Sequence, residues 1–360
     1  MNIDNFQEDI KKCRFCFMCR HLSGVANVSF READTPRVRS SMAWGVILDN
    51  SKLANADFID TIFSADLSAA CRFHCVNKWN ENGIVLAARR DIVEAGFAPA
   101  EVAKLAAKLK AAQKAPKISG KADVLYCIDA ETAASPSEFA AFEKIAKKAK
   151  VKFAVAEGGD CGKALKVLGY EADARKALAE YVGALAKSGA SKIVVSGTAL
   201  YDALANDAKE AGLKLSAKVM HISEFIVSLK PKFAKKAGAV YYLESDFLKN
   251  YNDNLKFPRE LLKILKAESN AGWTTDILDE PIPHMFGTNN EESYTCGEGG
   301  VVMAQIRPEI VEKMAKYVEA RAVDPKSDVI VAATPYTKQQ LQKHTKLNVI
   351  TLAELAAKCL

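Results

Sequence analysis

The sequence predicts an α+β multidomain protein: a helical N-terminal domain followed by two copies of one α/β unit. Three observations predict it. Cysteines crowd the start of the chain, with five of the nine before residue 76. From Lys121 onward, short apolar runs alternate with helical stretches, the pattern of a parallel sheet covered by helices on both faces. The order of those elements, including a glycine loop, then occurs a second time. A chain of 360 residues has the length for two or three domains. The expected boundaries are 1–115, 121–235 and 236–360.

Composition narrows the class. Hydrophobic residues make up 49% and charged residues 26%, ordinary values for a globular protein. The net charge of +6 is small and spread over Lys- and Ala-rich helices, which reads as solvated faces and predicts no nucleic-acid partner. No apolar run is long enough to predict a membrane span, and Met1–Lys12 is too polar for a signal peptide. The expected location is cytoplasmic, where cysteines serve as thiols or metal ligands rather than disulfides.

Residues Asn2–Lys12 are expected to form a short amphipathic helix. It leads into Cys13-Arg-Phe-Cys16-Phe-Met-Cys19. Three cysteines at two-residue gaps wrap a loop around one face of an iron–sulfur cube, so that three thiolates reach three irons. A zinc site lacking its second ligand pair, or three buried thiols, are the alternatives; zinc ligands usually come as separate Cys-x2-Cys halves. In a two-cluster ferredoxin a fourth Cys follows the third by four residues. Here that position is Ser23, followed by Gly24.

A second stretch, Ser68-Ala-Ala-Cys71-Arg-Phe-His-Cys75, keeps the end of the same spacing. With Cys71 and Cys75 as its last two positions, the first two fall at Ala65 and Ser68. In two-cluster ferredoxins the fourth Cys of each run ligates the other cluster. One cube then has its full set, Cys13, Cys16, Cys19 and Cys75. The other would need Ala65, Ser68, Cys71 and Ser23 and lacks three of its four cysteines. The prediction is one 4Fe–4S cluster in a helical ferredoxin-like domain. Cys71 is left as a buried thiol, and His74 as a hydrogen-bonded or exposed residue that could otherwise tune the cluster. Lys11, Lys12, Arg14, Arg20 and Arg72 flank the cysteines. They would either raise the cluster's potential or simply face water.

The remaining elements follow in order. Ser40 or Ser41 is expected to cap a helix through Met42–Leu48, and Asp57–Asp66 to form the next. Two helices are expected within Asn82–Lys110, and Ala111–Lys121, with Pro116 and Gly120, reads as a linker. Strands are expected at Val124–Asp129, Val151–Val155, Lys192–Ser196 and Val219–Ile222, with helices at Pro136–Lys150 and Glu171–Ser188. The second copy opens at Ala239–Leu243, passes a loop Tyr251–Pro258, the helices Arg259–Glu268 and Pro308–Arg321, and ends on strands at Val329 and Val349. Asp160-Cys161-Gly162 pairs with Thr295-Cys296-Gly297, Ile193-Val-Val-Ser-Gly with Val329-Ile-Val-Ala-Ala, and His221-Ile-Ser-Glu-Phe with Ile350-Thr-Leu-Ala-Glu.

These residues together resemble the iron–sulfur subunits of the heterodisulfide reductase, anaerobic glycerol-3-phosphate dehydrogenase and glycolate/lactate oxidase group. The resemblance covers nearly the whole chain. It rests on the cysteine run, Thr35-Pro-Arg, Ala88-Arg-Arg-Asp-Ile-Val-Glu-Ala-Gly-Phe-Ala-Pro, His221-Ile-Ser-Glu-Phe and Phe257-Pro-Arg-Glu-Leu-Leu. It implies a helical two-cluster domain, two cysteine-rich repeats, and electron transfer from a flavoprotein dehydrogenase to a downstream acceptor. The chain departs from the family where each repeat should carry Cys-Cys-Gly and a later Cys-x2-Cys. Those positions read Asp160-Cys161, Thr295-Cys296, Gly197…Leu200 and Thr334…Thr337; upstream, a Cys survives only near Cys127, and Asp129 is as good an alignment. The metal sites of both repeats, and the family's disulfide chemistry, are therefore expected to be absent.

Three functions remain in view. The first is a non-catalytic electron-transfer subunit with one cluster. The second is an enzyme that binds a small molecule in the former metal cleft, using Cys161, Cys296, Glu298, His221 and His284, with helix N-termini favouring an anion. The third is a structural subunit stapled by its cluster. Neither glycine loop has Gly-x-Gly-x-x-Gly spacing, so no nicotinamide or flavin of its own is expected.

Overall fold

The computed structural model describes residues 1–73, 75–269, 296–320 and 329–360. Within them the α+β multidomain architecture is plain: helices only at first, then two mostly parallel sheets flanked by helices. Among the described residues no strand precedes Lys117.

The first sheet holds β1 (Lys117–Ser119), β2 (Val124–Ile128), β3 (Phe153–Glu157), β4 (Lys192–Val195) and β5 (Lys218–His221), in the order β1-β3-β2-β4-β5. The second holds β6 (Gly238–Leu243), β7 (Ala267–Ser269), β8 (Val329–Ala332) and β9 (Asn348–Thr351), in the order β7-β6-β8-β9. Without β1, the two orders are the same. Every pair is parallel except β1 with β3. Strands β2, β4, β8 and β9 are short apolar runs buried on both faces, as parallel strands between helices must be. Gly162 and Gly297, which pair in the sequence, both adopt a left-handed backbone, at φ 78° and 80°. The two α/β units pack together, since Tyr126, Phe142 and Phe225 share one core with Val240, Tyr242, Val331 and Leu352.

Several expected elements shift. The linker Ala111–Lys121 contributes β1, which pairs with β3 through Ile118 and Ala156. Pro116 and Gly120 bracket it, and a three-residue edge strand with one apolar side chain carries no pattern of its own. The helix expected from Met42 starts at Pro36 and runs to Leu48. Thr35 precedes it and Pro36 takes the first helical position, where its missing N–H costs nothing. Asp57–Asp66 shortens to Ala56–Phe63, capped by Asn55. The segment Tyr251–Pro258 is loop only in part: a π-helical turn covers Asp246–Tyr251, and Lys256–Ile264 is helical. His221 and Thr351 are the equivalent helix caps. The sequence pairing of these stretches is therefore out by one residue, and Glu224 matches Glu354. Thr295, His284 and Arg321 lie outside the described residues, as does His74.

The helical domain is not separate from the repeats. Its core takes Leu165, Val167 and Leu168 from the first and Val302 and Ile306 from the second. Arg89, from the phrase Ala88-Arg-Arg, joins them. Its guanidinium is buried and donates to the carbonyls of Ile62 (2.9 Å), Ala65 (2.8 Å) and Val167 (2.7 Å). Asp91 of the same phrase accepts the backbone N–H groups of Asn2 and Ile3. Among the described residues no helix is long and apolar enough to cross a membrane.

Candidate functional site

The N-terminal segment is a 3-10 turn, Asn2–Phe6, followed by the helix Gln7–Lys11. The chain then leaves as an irregular loop and re-enters a 3-10 turn at Met18–Leu22. Phe15 takes a left-handed backbone, φ 57°, which turns the chain between Cys13 and Cys16. Arg37 clamps this loop. Its Nη1 donates to the Phe15 carbonyl at 3.2 Å while its Nε donates to Glu32 at 2.6 Å. Arg37 sits at the N-terminus of the helix Pro36–Leu48, where backbone N–H groups lack helical partners. Its backbone N–H faces the Cys19 thiol and acts to lower that thiol's pKa. Cys19 is buried, and that burial outweighs the N–H and pushes the thiol up to about 11. Cys13 and Cys16 lie near enough for their charges to act on it.

The Cys75 segment is brought to the same place. The turn Ala70–Phe73 packs on Met18–Leu22. The Cys75 N–H donates to the Cys71 carbonyl at 2.9 Å. Two residues on, Asn77 Nδ2 donates to the carbonyl of Lys12, the residue before Cys13, at 2.6 Å. Cys13 and Cys75 are half-buried and Cys16 is exposed. Among the described residues, no three His, Cys, Asp or Glu side chains are gathered closely enough to hold a metal ion. The Asn77–Lys12 bond thus ties the Cys75 segment to the residue before Cys13, while the four side chains are not gathered on a common point.

Cys71 is placed differently. Its thiol is buried and donates to Glu81 Oε2 at 3.2 Å, and Glu81 is paired with buried Arg39 at 2.6 Å. Burial, reinforced by the Glu81 charge, raises its pKa well above the usual thiol value. Cys71 also lies close to Cys19. Ser23, at the other lost position, caps the helix Gly24–Ser29 and donates to the Asp34 carbonyl at 3.1 Å.

Most of the flanking positive charge is engaged. Lys11 pairs with Glu8, Lys12 with Asp9, and Arg20 with Glu32. Arg72 donates to the Asn250 carbonyl. Beside exposed Lys12, Arg14 and Arg72, the loop and its neighbour also expose apolar side chains: Phe15 is 56% exposed, Phe17 62%, and Val76, next to Cys75, 90%.

In the repeats, Cys161 lines a cavity of about 390 Å³ between the two units. Glu298 does not reach it. It is buried and accepts from the hydroxyls of Ser245 and Thr198 and from the Asp246 N–H. Burial also raises its pKa. Cys296 is buried, and its carbonyl accepts from Tyr336 Oη at 3.2 Å. His221 is buried as a helix cap, with Nδ1 2.8 Å from Ser223 Oγ, and burial lowers its pKa to about 3. It is a neutral structural group. The former ligand positions have other contacts: Leu200 is buried in the sheet core, and Thr334 donates to Glu131 at 3.2 Å.

No protein-family model matches this chain, and no curated protein matches it. Three important residues were not singled out by sequence: Asn77, Arg37 as the clamp on the Phe15 carbonyl, and Glu131. Thr35-Pro-Arg was visible as a phrase; Asn77 carries no sequence signal.

Proposed function

We propose that the chain is an electron-transfer subunit carrying one 4Fe–4S cluster on Cys13, Cys16, Cys19 and Cys75. It would relay electrons between a flavoprotein dehydrogenase and a downstream acceptor. The observation that carries this reading is the tie from Asn77 to Lys12, which sets the Cys75 segment beside the three-cysteine loop. When bound, the cube supplies one-electron redox chemistry whose potential depends on hydrogen bonds to its sulfurs and on solvent exposure. The Arg37 N–H faces Cys19; with the cube bound it would stabilise negative charge on that sulfur and so favour the reduced state.

The same features support a single cube. Cys71 is committed to Glu81, and Ser23 to a helix cap. Phe15, Phe17, Met18 and Val76 are exposed around the loop among Lys12, Arg14 and Arg72, and exposed apolar side chains of this size suit a protein contact. A partner docked there approaches the cysteines directly. The resemblance to iron–sulfur subunits supplies the flavoprotein as that partner.

The test is to mix the anaerobically purified chain with a candidate flavoprotein and its substrate, and to follow visible absorbance. Bleaching that requires both proteins is the expected result. Substrate oxidation by this chain alone, or no bleaching with any reductant, overturns the proposal.

A further inference from the structure

The first sheet reverses direction at β2. The chain passes from β2 to β3 on one side, then to β4 on the other side of β2, and on to β5. In open parallel sheets, ligands bind at the carboxyl ends of the strands where the order reverses. Here that place opens into the cavity of about 390 Å³, closed on its far side by Val301–Gln305 and the helix Pro335–His344 of the second repeat. The volume suits a small molecule.

Three carboxylates line this cavity: Asp129, Glu131 and Asp160. Asp129, just after β2, lies so close to the β4 loop that a Cβ at Gly197 would come within 1.7 Å of its Oδ2. Its Oδ1 caps a helical turn, accepting the Thr132 N–H at 2.9 Å. Asp160 Oδ1 accepts the Gly162 N–H at 2.7 Å. Among the described residues the Glu131 carboxylate accepts the Thr334 hydroxyl alone, while its backbone carbonyl accepts Gln339 Nε2 at 2.7 Å. Among the described residues none of these three carboxylates has an ion-pair partner. Burial raises the pKa of all three. The cavity's buried cation, Lys163, is held by Asp202 and by Asp207 at 2.8 Å. One further group points to a missing ligand: Gln340 Oε1, on the cavity wall, is buried without a hydrogen-bond partner among the described residues.

We infer that this cavity binds a small organic cation bearing several N–H donors, such as a primary diamine or an alkylguanidine. A charge-assisted donor satisfies each acceptor and compensates the buried carboxylates. The carboxylates are too dispersed for one metal ion. An anion, which helix N-termini had suggested, would meet Asp129, Glu131 and Asp160 and only Lys343 at the exposed rim. The inference stands apart from the electron-transfer reading, because it uses none of the four cysteines.

Calorimetric titration of the full chain with 1,4-diaminobutane, butylguanidine and succinate tests it, with iron content measured on the same sample. At least one cation is expected to bind with a Kd of about 1 mM or tighter, and succinate not to bind. Glu131→Gln should weaken the cation about tenfold or more. Ala304→Leu, which adds bulk to the cavity wall, should abolish binding and leave iron content and thermal unfolding unchanged. Absence of cation binding, binding of succinate instead, or undiminished binding in a folded Glu131→Gln or Ala304→Leu protein would overturn the inference.

Discussion

Asn77 Nδ2 donates to the Lys12 carbonyl at 2.6 Å, and this bond joins the stretch that holds Cys75 to the stretch that holds Cys13. Asn77→Ala removes it. A net loss of about 1 kcal/mol corresponds to roughly fivefold. The variant should therefore retain iron against a chelator about fivefold less well, while its far-ultraviolet circular dichroism is unchanged. Equal retention would show that the bond does not organise the site.

Cys71 and Cys75 are four residues apart but lie in different surroundings. Cys75 is half-buried beside the loop, and Cys71 is a buried thiol donating to Glu81. Cys75→Ser is expected to lose most bound iron. Cys71→Ser should keep it, since a serine hydroxyl can donate to Glu81 in the same way. The reverse outcome in iron analysis would assign the fourth ligand to Cys71, which also lies near Cys19.

Arg89 satisfies three carbonyls from two domains while itself buried, a position that lowers its pKa to about 9. Arg89→Ala leaves the carbonyls of Ile62, Ala65 and Val167 unpaired. At about 1–3 kcal/mol per unpaired group, the loss should be about 3 kcal/mol or more. Urea unfolding of the full chain measures it. A loss under about 1 kcal/mol would mean that water replaces the guanidinium.

The repeated strand order was legible in the sequence because buried parallel strands are short apolar runs, and Ile193–Val195 and Val329–Ala332 announce themselves. The cysteine spacing likewise singled out Cys13, Cys16, Cys19 and Cys75. Less local features were not legible. β1 depends on an open edge at β3 rather than on its own three residues. The chemistry of Cys71 depends on Glu81, ten residues away, and on Arg39 behind it. The carboxylate-lined cavity carries no sequence signal, because Asp129 and Glu131 meet Asp160, Tyr336 and Gln340 only through the packing of the two repeats. His221 was weighed as a cleft residue, whereas its ring caps a helix.

Glu138 gives a pH signature. Burial raises its pKa to about 7, although it accepts from Thr351 Oγ1. Its unfolded value is near 4.5, so the folded state holds the proton longer. This contribution is fully present below about pH 4.5 and lost as pH rises through about 7. Its size is about 3 kcal/mol between those limits. Glu138→Gln stays neutral, so the fall in stability from pH 5 to pH 8 should be smaller by about that amount in urea titrations. An identical fall in both proteins would place the Glu138 pKa near its usual value.

The central claim is that this chain holds one cube on four named cysteines. Iron and acid-labile sulfide, measured per chain on anaerobically purified full-length protein, test it most directly. The account predicts about four of each, the content of one 4Fe–4S cluster. A value near eight, or protein that cannot be loaded with iron and sulfide at all, would contradict it.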